Sequence, residues 1–134
     1  MLKNVGLWVD HEKAYVVSLI NGTAQMSKME SDVESHIKTL GGSRSKTPYA
    51  PQDISAERKF EGRRKKHLRM YYKQLIKNVK DAKQIYIFGP GEARTELEKE
   101  MKKSKPLSKK ITANECCDRM TERQIIAKVK KFYQ

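Results

Sequence analysis

Two apolar runs meet at Asn21-Gly22, and this junction constrains the fold more than any other feature of the chain. A two-residue type I′ turn needs positive φ at both central positions, which Asn and Gly accept at little cost. Residues 14–20 (Ala-Tyr-Val-Val-Ser-Leu-Ile) before it are β-branched and aromatic, and residues 23–29 after it alternate, with Ala24 and Met26 among polar neighbours. The two runs are therefore expected to pair antiparallel. A third run, residues 5–9 (Val-Gly-Leu-Trp-Val), precedes them across the polar turn Asp10-His11-Glu12-Lys13. The chain thus opens as a three-stranded meander. The strand pattern begins where a secretory leader would need a basic, apolar and small-residue succession, so no leader is expected.

Beyond the meander the period changes. Residues 31–40 are polar with sparse apolar positions and predict a short helix or an extended connection. Residues 41–54 hold two glycines, two prolines and several small polar residues, which predicts a long loop. Loops of that length in a small domain are often functional or disordered. With Ser55 as N-cap, a helix is expected to run to about Val79. Phe60, Leu68, Tyr71, Tyr72, Leu75, Ile76 and Val79 follow the three-and-four spacing of one helix face, with His67 on the same side. The opposite face carries Arg58, Lys59, Arg63, Lys65, Lys66, Arg69, Lys73, Lys77 and Lys80. Residues 84–88 (Gln-Ile-Tyr-Ile-Phe) read as a buried strand, followed by the tight turn Gly89-Pro90-Gly91. A helix over 92–104 is expected to stop at Pro106, with a short strand over 109–114 after it. Thr121 and Gln124 have capping-box spacing and open a last helix whose apolar face is Ile125, Ile126, Val129, Phe132 and Tyr133. The expected architecture is α/β. One domain over residues 1–134 would hold a mixed sheet of about five strands, a meander followed by α-β-α-β-α, of ribonuclease H-like type.

The charge is uneven. The chain has 134 residues, 29 Lys and Arg against 16 Asp and Glu, and a net charge of +13. Residues 38–80 alone hold 13 basic and three acidic side chains, a net of +10, whereas residues 1–37 are net negative. Such a segment reads as an electrostatic footprint for a phosphate backbone. Apolar residues make up 37% of the chain, enough at this length for a core without disulfides or a structural metal. No apolar run approaches the roughly 18 residues of a membrane span. Cys116 and Cys117 are adjacent, which disfavours both a disulfide between them and a zinc site. A reduced, cytoplasmic protein with no cofactor and no membrane partner is expected.

Few residues offer chemistry. Asp10, Glu12, Asp32 and Glu34 invite comparison with a metal-dependent nuclease cluster, but a hairpin turn favours Asp for backbone reasons alone. His11, His36 and His67 lack ligand or triad spacing, and no histidine lies close in sequence to serve Cys116 or Cys117 as a base. Gly89-Pro90-Gly91 lacks the Lys-Ser/Thr that grips phosphates, so close strand-to-helix packing is the better account of it. The strongest candidate is the loop 41–54 with the helix behind it. Gly41 and Gly42 open unusual backbone conformations, Arg44 and Lys46 reach phosphates, and Tyr49 stacks on a base.

These residues carry a family resemblance. Gly41-Gly42-Ser43 comes first, then a basic helix with Arg58, Phe60, Arg63, Arg64 and the pair Tyr71-Tyr72. Strand Ile85-Tyr86-Ile87-Phe88, the turn Gly89-Pro90-Gly91-Glu92-Ala93 and Glu96-Leu97 follow, and then Asp118-Arg119-Met120-Thr121 and Gln124-Ile125. The order resembles the middle domain of archaeal and eukaryotic class 1 peptide-chain release factors and of Pelota, in particular their small single-domain prokaryotic relatives. In release factors the loop tip is Gly-Gly-Gln and helps water cleave peptidyl-tRNA on the ribosome. Gly41 and Gly42 match it, but Ser43 replaces the glutamine, and a serine hydroxyl cannot reproduce the shape of the amide. The domains that read codons and bind partner factors have no counterpart in these 134 residues.

The resemblance and the charge together imply an RNA-binding protein of the translation machinery that acts in ribosome rescue or translation regulation without catalysis. Its partner would be the ribosome, rRNA or tRNA, with a protein partner in place of the missing domains. Arg44, Lys46, Tyr49, Arg58, Lys59, Arg63, Arg64, Lys65, Lys66 and Arg69 are the expected RNA contacts. The alternatives are a peptidyl-tRNA hydrolase in which Gly41, Gly42 and Ser43 still order water, and a protein-interaction module that uses the basic helix.

Overall fold

Apolar strands with charged helices between them leave the sheet as the frame of the molecule. The computed structural model describes residues 3–31 and 53–134, with side chains in the long helix described from Lys59 on, Phe60 excepted. Strands β1 (Asn4–Val9), β2 (Lys13–Ile20) and β3 (Thr23–Glu30) form the meander. Asn21 (φ 52°) and Gly22 (φ 81°) make the positive-φ turn that their sequence calls for. Helix α1 (Asp53–Val79) follows, then β4 (Gln84–Gly89), α2 (Ala93–Met101), α3 (Lys105–Lys110), β5 (Ile111–Cys116) and α4 (Glu122–Phe132). The strand order is β3-β2-β1-β4-β5. β1 lies antiparallel to β2 and parallel to β4, and β4 is parallel to β5. This is the expected α/β arrangement, a five-stranded mixed sheet with helices on both faces.

The period-2 alternation of β1 and β4 feeds two separate cores. Val5, Leu7, Val9, Ile85 and Ile87 point to one face and pack under α1, α2 and α3 through Leu68, Leu75, Val79, Leu97, Met101 and Leu107. Trp8, Tyr86 and Phe88 point to the other and pack under α4 through Ile125 and Val129. Both central strands are thus buried on both sides, as strands in a parallel pairing usually are. Helix α4 is held by its capping box between Thr121 and Gln124, as its sequence predicts. Phe132 stacks on Tyr86 with centroids 3.9 Å apart. The Tyr133 hydroxyl donates to the Val5 carbonyl over 2.7 Å.

Three expectations are corrected. Helix α1 already runs at Asp53, so residues 53 and 54 belong to it rather than to the loop, and Ser55 lies inside the helix instead of capping it. Pro106 does not stop the preceding helix, which ends at Met101. It sits in the first turn of α3, where a fixed φ and a missing N–H are tolerated. Lys109 and Lys110 therefore close α3, and β5 begins at Ile111 and reaches Cys116. The connection over 31–40 and the loop over 41–54 fall outside the described residues from 32 to 52, as do Gly41, Gly42, Ser43, Arg44, Lys46, Tyr49, Asp32, Glu34 and His36.

Two glycines have opposite roles. A Cβ on Gly6 would meet the Val129 side chain inside contact distance, so the missing side chain lets α4 lie close on the sheet. Gly62, in α1, faces open space. Gly6→Ala is expected to lower unfolding free energy by about 1–3 kcal/mol through overpacking. Gly62→Ala is expected to raise it by about 0.5–1 kcal/mol, because alanine lowers the entropy of the unfolded chain. Urea denaturation of the two variants measures both signs.

Candidate nucleic-acid interface

Helix α1 is anchored on one side only. Leu68, Tyr71, Tyr72, Leu75 and Val79 recur at three and four residues and are buried. The opposite line is exposed: Lys59, Arg63, Lys66, Lys73 and Lys77 lie along it, flanked by Lys65, Arg69 and Lys80. Met70 interrupts this line and is 55% exposed. None of these cations makes an ion pair with a described residue, so the charge of the stripe is not neutralised from within the described structure.

The hydrogen bonds of α1 show how far it reaches. The Tyr71 hydroxyl donates to the Asp10 carbonyl over 3.2 Å, just past the carboxyl end of β1. His67 Nε2 donates to the Ser31 carbonyl over 2.6 Å, just past β3. These contacts place Tyr71 and His67 level with that edge of the sheet. The residues before them, 53–66, run on by about 20 Å at 1.5 Å per residue. No residue from 61 to 67 is buried. The first half of α1 is therefore an arm that extends past the sheet, and it carries Lys59, Arg63, Lys65 and Lys66. Arg58 lies on the same stretch of helix.

Arg64 is the exception among the expected contacts. It sits on the core side of α1, half-buried, and its charge acts on the Tyr72 hydroxyl. Tyr72 belongs to a polar cluster at the carboxyl edge of the sheet. Its hydroxyl donates to Glu96 Oε1 over 2.6 Å, and His11 Nε2 donates to the same oxygen over 3.0 Å. Burial, then the bond to Glu96, pushes the Tyr72 phenol far above the ordinary range. Burial does the same to Tyr71. Both hydroxyls act as hydrogen-bond donors in the fold. The cluster ties the β1–β2 turn, α1 and α2 together. Nothing in the sequence spacing marks it, because His11, Tyr72 and Glu96 come from three distant segments.

The other candidates resolve into structural roles. Asp10 Oδ1 accepts from the backbone N–H groups of Glu12 (2.8 Å) and Lys13 (2.7 Å), the turn geometry that favours Asp at this place. Its second oxygen, Oδ2, has no hydrogen-bond partner among the described residues and faces Arg119 at 3.9 Å. No three His, Cys, Asp or Glu side chains among the described residues are placed to hold a metal ion together. Gly89 takes φ 149°, and a Cβ there would strike the Val9 carbonyl, so the turn allows close strand packing. The Cys117 N–H donates to the Gly89 carbonyl over 3.0 Å, and burial pushes its thiol above the usual value. That favours the thiol over a reactive thiolate. No described helix is long and apolar enough to cross a membrane.

No family model matches the chain, and no curated protein matches it. Solved structures do. An archaeal translation termination factor, aRF1, aligns with 96% of this chain and 34% of its own at 12% identity, with a TM-score of 0.56. Archaeoglobus fulgidus Pelota aligns with 96% of this chain and 31% of its own at 12% identity and a TM-score of 0.48. The psk41 ParM protein covers 97% and 40% at 10% identity, also with a TM-score of 0.48. The chain thus spans about a third of the length of the first two. At these identities the likeness is one of fold, a translation-factor-like fold in the case of the termination factor.

Removal of the Tyr72 hydroxyl tests the polar cluster. Tyr72→Phe takes one donor from a carboxylate and is expected to cost about 1.5 kcal/mol. Tyr71→Phe loses a longer bond to a neutral carbonyl and is expected to cost about 0.5–1 kcal/mol. Chemical denaturation of the two variants gives the comparison.

Proposed function

We propose that this chain binds RNA of the translation machinery, ribosomal or transfer RNA, through the basic arm of α1 and the loop over 41–54. Its role would be in ribosome rescue or translation regulation, without catalysis. The observation that carries this reading is the arm itself. Lys59, Arg63, Lys65 and Lys66 stand on a helix that extends about 20 Å past the sheet, and none of them has an acidic partner among the described residues. A cation on such a rod keeps its field outward, and a polyanion is the partner that gains most from it. The fold likeness to a termination factor supports a translational setting for that polyanion.

Within this reading Arg44, Lys46, Arg58, Lys59, Arg63, Lys65, Lys66 and Arg69 neutralise phosphates, and Tyr49 stacks on a base or sugar. Arg64 contributes less directly, since it lies partly buried on the core side of α1. The non-catalytic part follows from Ser43, which stands where the release factors that the chain resembles carry a glutamine.

Co-sedimentation with purified ribosomes over a salt series tests the binding. About six phosphate contacts give a slope of log affinity against log salt near −5. Arg63→Glu with Lys66→Glu is expected to abolish the binding while thermal unfolding is unchanged. A slope near zero, or binding that survives ribonuclease treatment of an extract, would overturn the RNA reading in favour of an acidic protein partner. Hydrolysis has its own test. Incubation with peptidyl-tRNA, free or on ribosomes, is expected to release no peptide beyond the Gly42→Ala control, and release above that control would establish an enzyme.

A further inference from the structure

The basic surface does not end with the arm. At the far end of α1, Lys77, Lys80 and Lys83 are exposed. Lys110 Nζ donates to the Lys80 carbonyl over 2.5 Å, which sets the end of α3 against the end of α1. Residues 99–110 hold six lysines and a single acid, Glu100. Two of these lysines are spent locally, Lys102 on Glu98 at 2.7 Å and Lys103 on Glu100 at 2.9 Å. Lys105 and Lys109 are exposed and form no ion pair with a described residue. The amino edge of the parallel strands therefore carries a corner rich in lysine, joined to the stripe of α1, in which the one acid beside Lys80, Asp81, is paired with Lys3 at 3.3 Å. At the carboxyl edge Asp10, Glu96, Glu115 and Asp118 lie at or near the ends of β1, β4 and β5, and Arg119 faces Asp10 at 3.9 Å.

We infer that the RNA bound by α1 is base-paired and lies along the whole helix, with a second phosphate contact at the corner formed by Lys80, Lys105 and Lys109. This deepens the RNA-binding reading and rests on it. Three observations carry it. The line of cations from Lys59 to Lys77 covers about 27 Å on one continuous helix, with Lys80 in the turn that follows, and a row held on one helix matches a rigid partner. Single strands are held on exposed aromatic platforms, and along the helix line the described side chains of α1 and α3 offer none, since Tyr71 and Tyr72 are buried, so the stacking proposed for Tyr49 is confined to the loop. The corner is built from lysines, which act on phosphates as point charges and lack the planar fork that arginine turns toward base edges. Recognition by this surface would be of backbone and shape, with little dependence on sequence.

The test titrates the full chain with an RNA duplex of about 20 base pairs, long enough to exceed the basic line, and with one of its strands alone, over a salt series. The wild type is expected to bind the duplex more tightly. Lys105→Ala with Lys109→Ala removes two contacts and is expected to lower the steepness of the salt dependence by about 2. At about 0.1 M salt this corresponds to roughly 60-fold weaker binding, at about 8-fold per contact. Thermal unfolding of this variant checks that the fold is kept. An unchanged slope in the corner variant, with a reduced slope in Arg63→Ala/Lys66→Ala, overturns the corner while the RNA reading stands. Tighter binding of the single strand overturns the base-paired partner. No binding of either RNA by the wild type overturns this inference and the reading beneath it.

Discussion

The parallel pairing of β1 with β4 is the constraint on which the rest of the molecule depends. Both strands are apolar on both faces, so neither is stable at an edge, and the pairing buries them in the middle of the sheet. A parallel neighbour cannot be reached by a hairpin. The chain must cross back over the sheet, and α1 is that crossing. The meander before it ends at the carboxyl edge, so α1 has to descend from there, and its apolar stripe covers one face of β1 and β4. The other face then requires a second cover, which α4 provides, drawn close by the absence of a side chain on Gly6.

The charge distribution follows from the same geometry. Helix α1 has more residues than the sheet can cover, and among its described side chains the buried positions begin at Leu68. From Glu61 to Lys66 no described side chain is apolar, and these turns carry five charged residues. The cations on the remainder of α1 are confined to the side away from the sheet, in register with those of the arm. Acidic groups gather instead at the carboxyl edge, where Glu96 accepts from Tyr72 and His11 and pins three elements together. One end of the parallel strands is thus held by hydrogen bonds to carboxylates, and the other is lined with lysines.

Much of this was legible in the chain itself. Apolar and β-branched runs identified β1, β2 and β4, alternation identified β3, Asn21-Gly22 the first hairpin, and Thr121 with Gln124 the start of α4. The errors were local and share a cause. Ser55 and Pro106 were read by their commonest roles, helix cap and helix breaker. The structure uses Pro106 to begin a helix, which single-residue preference does not distinguish from ending one. The shift of the last strand to Ile111 follows from that helix. Spacing placed Lys59, Arg63, Lys65, Lys66, Arg69, Lys73, Lys77 and Lys80 on one face, and the structure exposes them there; Arg64, expected as an RNA contact but not assigned to that face, lies on the side of Tyr72.

Local order by itself determined which segments are strands and helices, where the hairpin turns, and that positive charge gathers on one face of one helix. Those properties depend on neighbours within a few residues, and periodicity records them. Which segments meet was decided only in three dimensions. The Tyr72–Glu96–His11 cluster, the seat of Val129 on Gly6, and the junction of Lys110 with Lys80 each join residues separated by at least 24 positions. Such contacts arise from the packing of elements whose own patterns are already satisfied, so no local signal has to announce them.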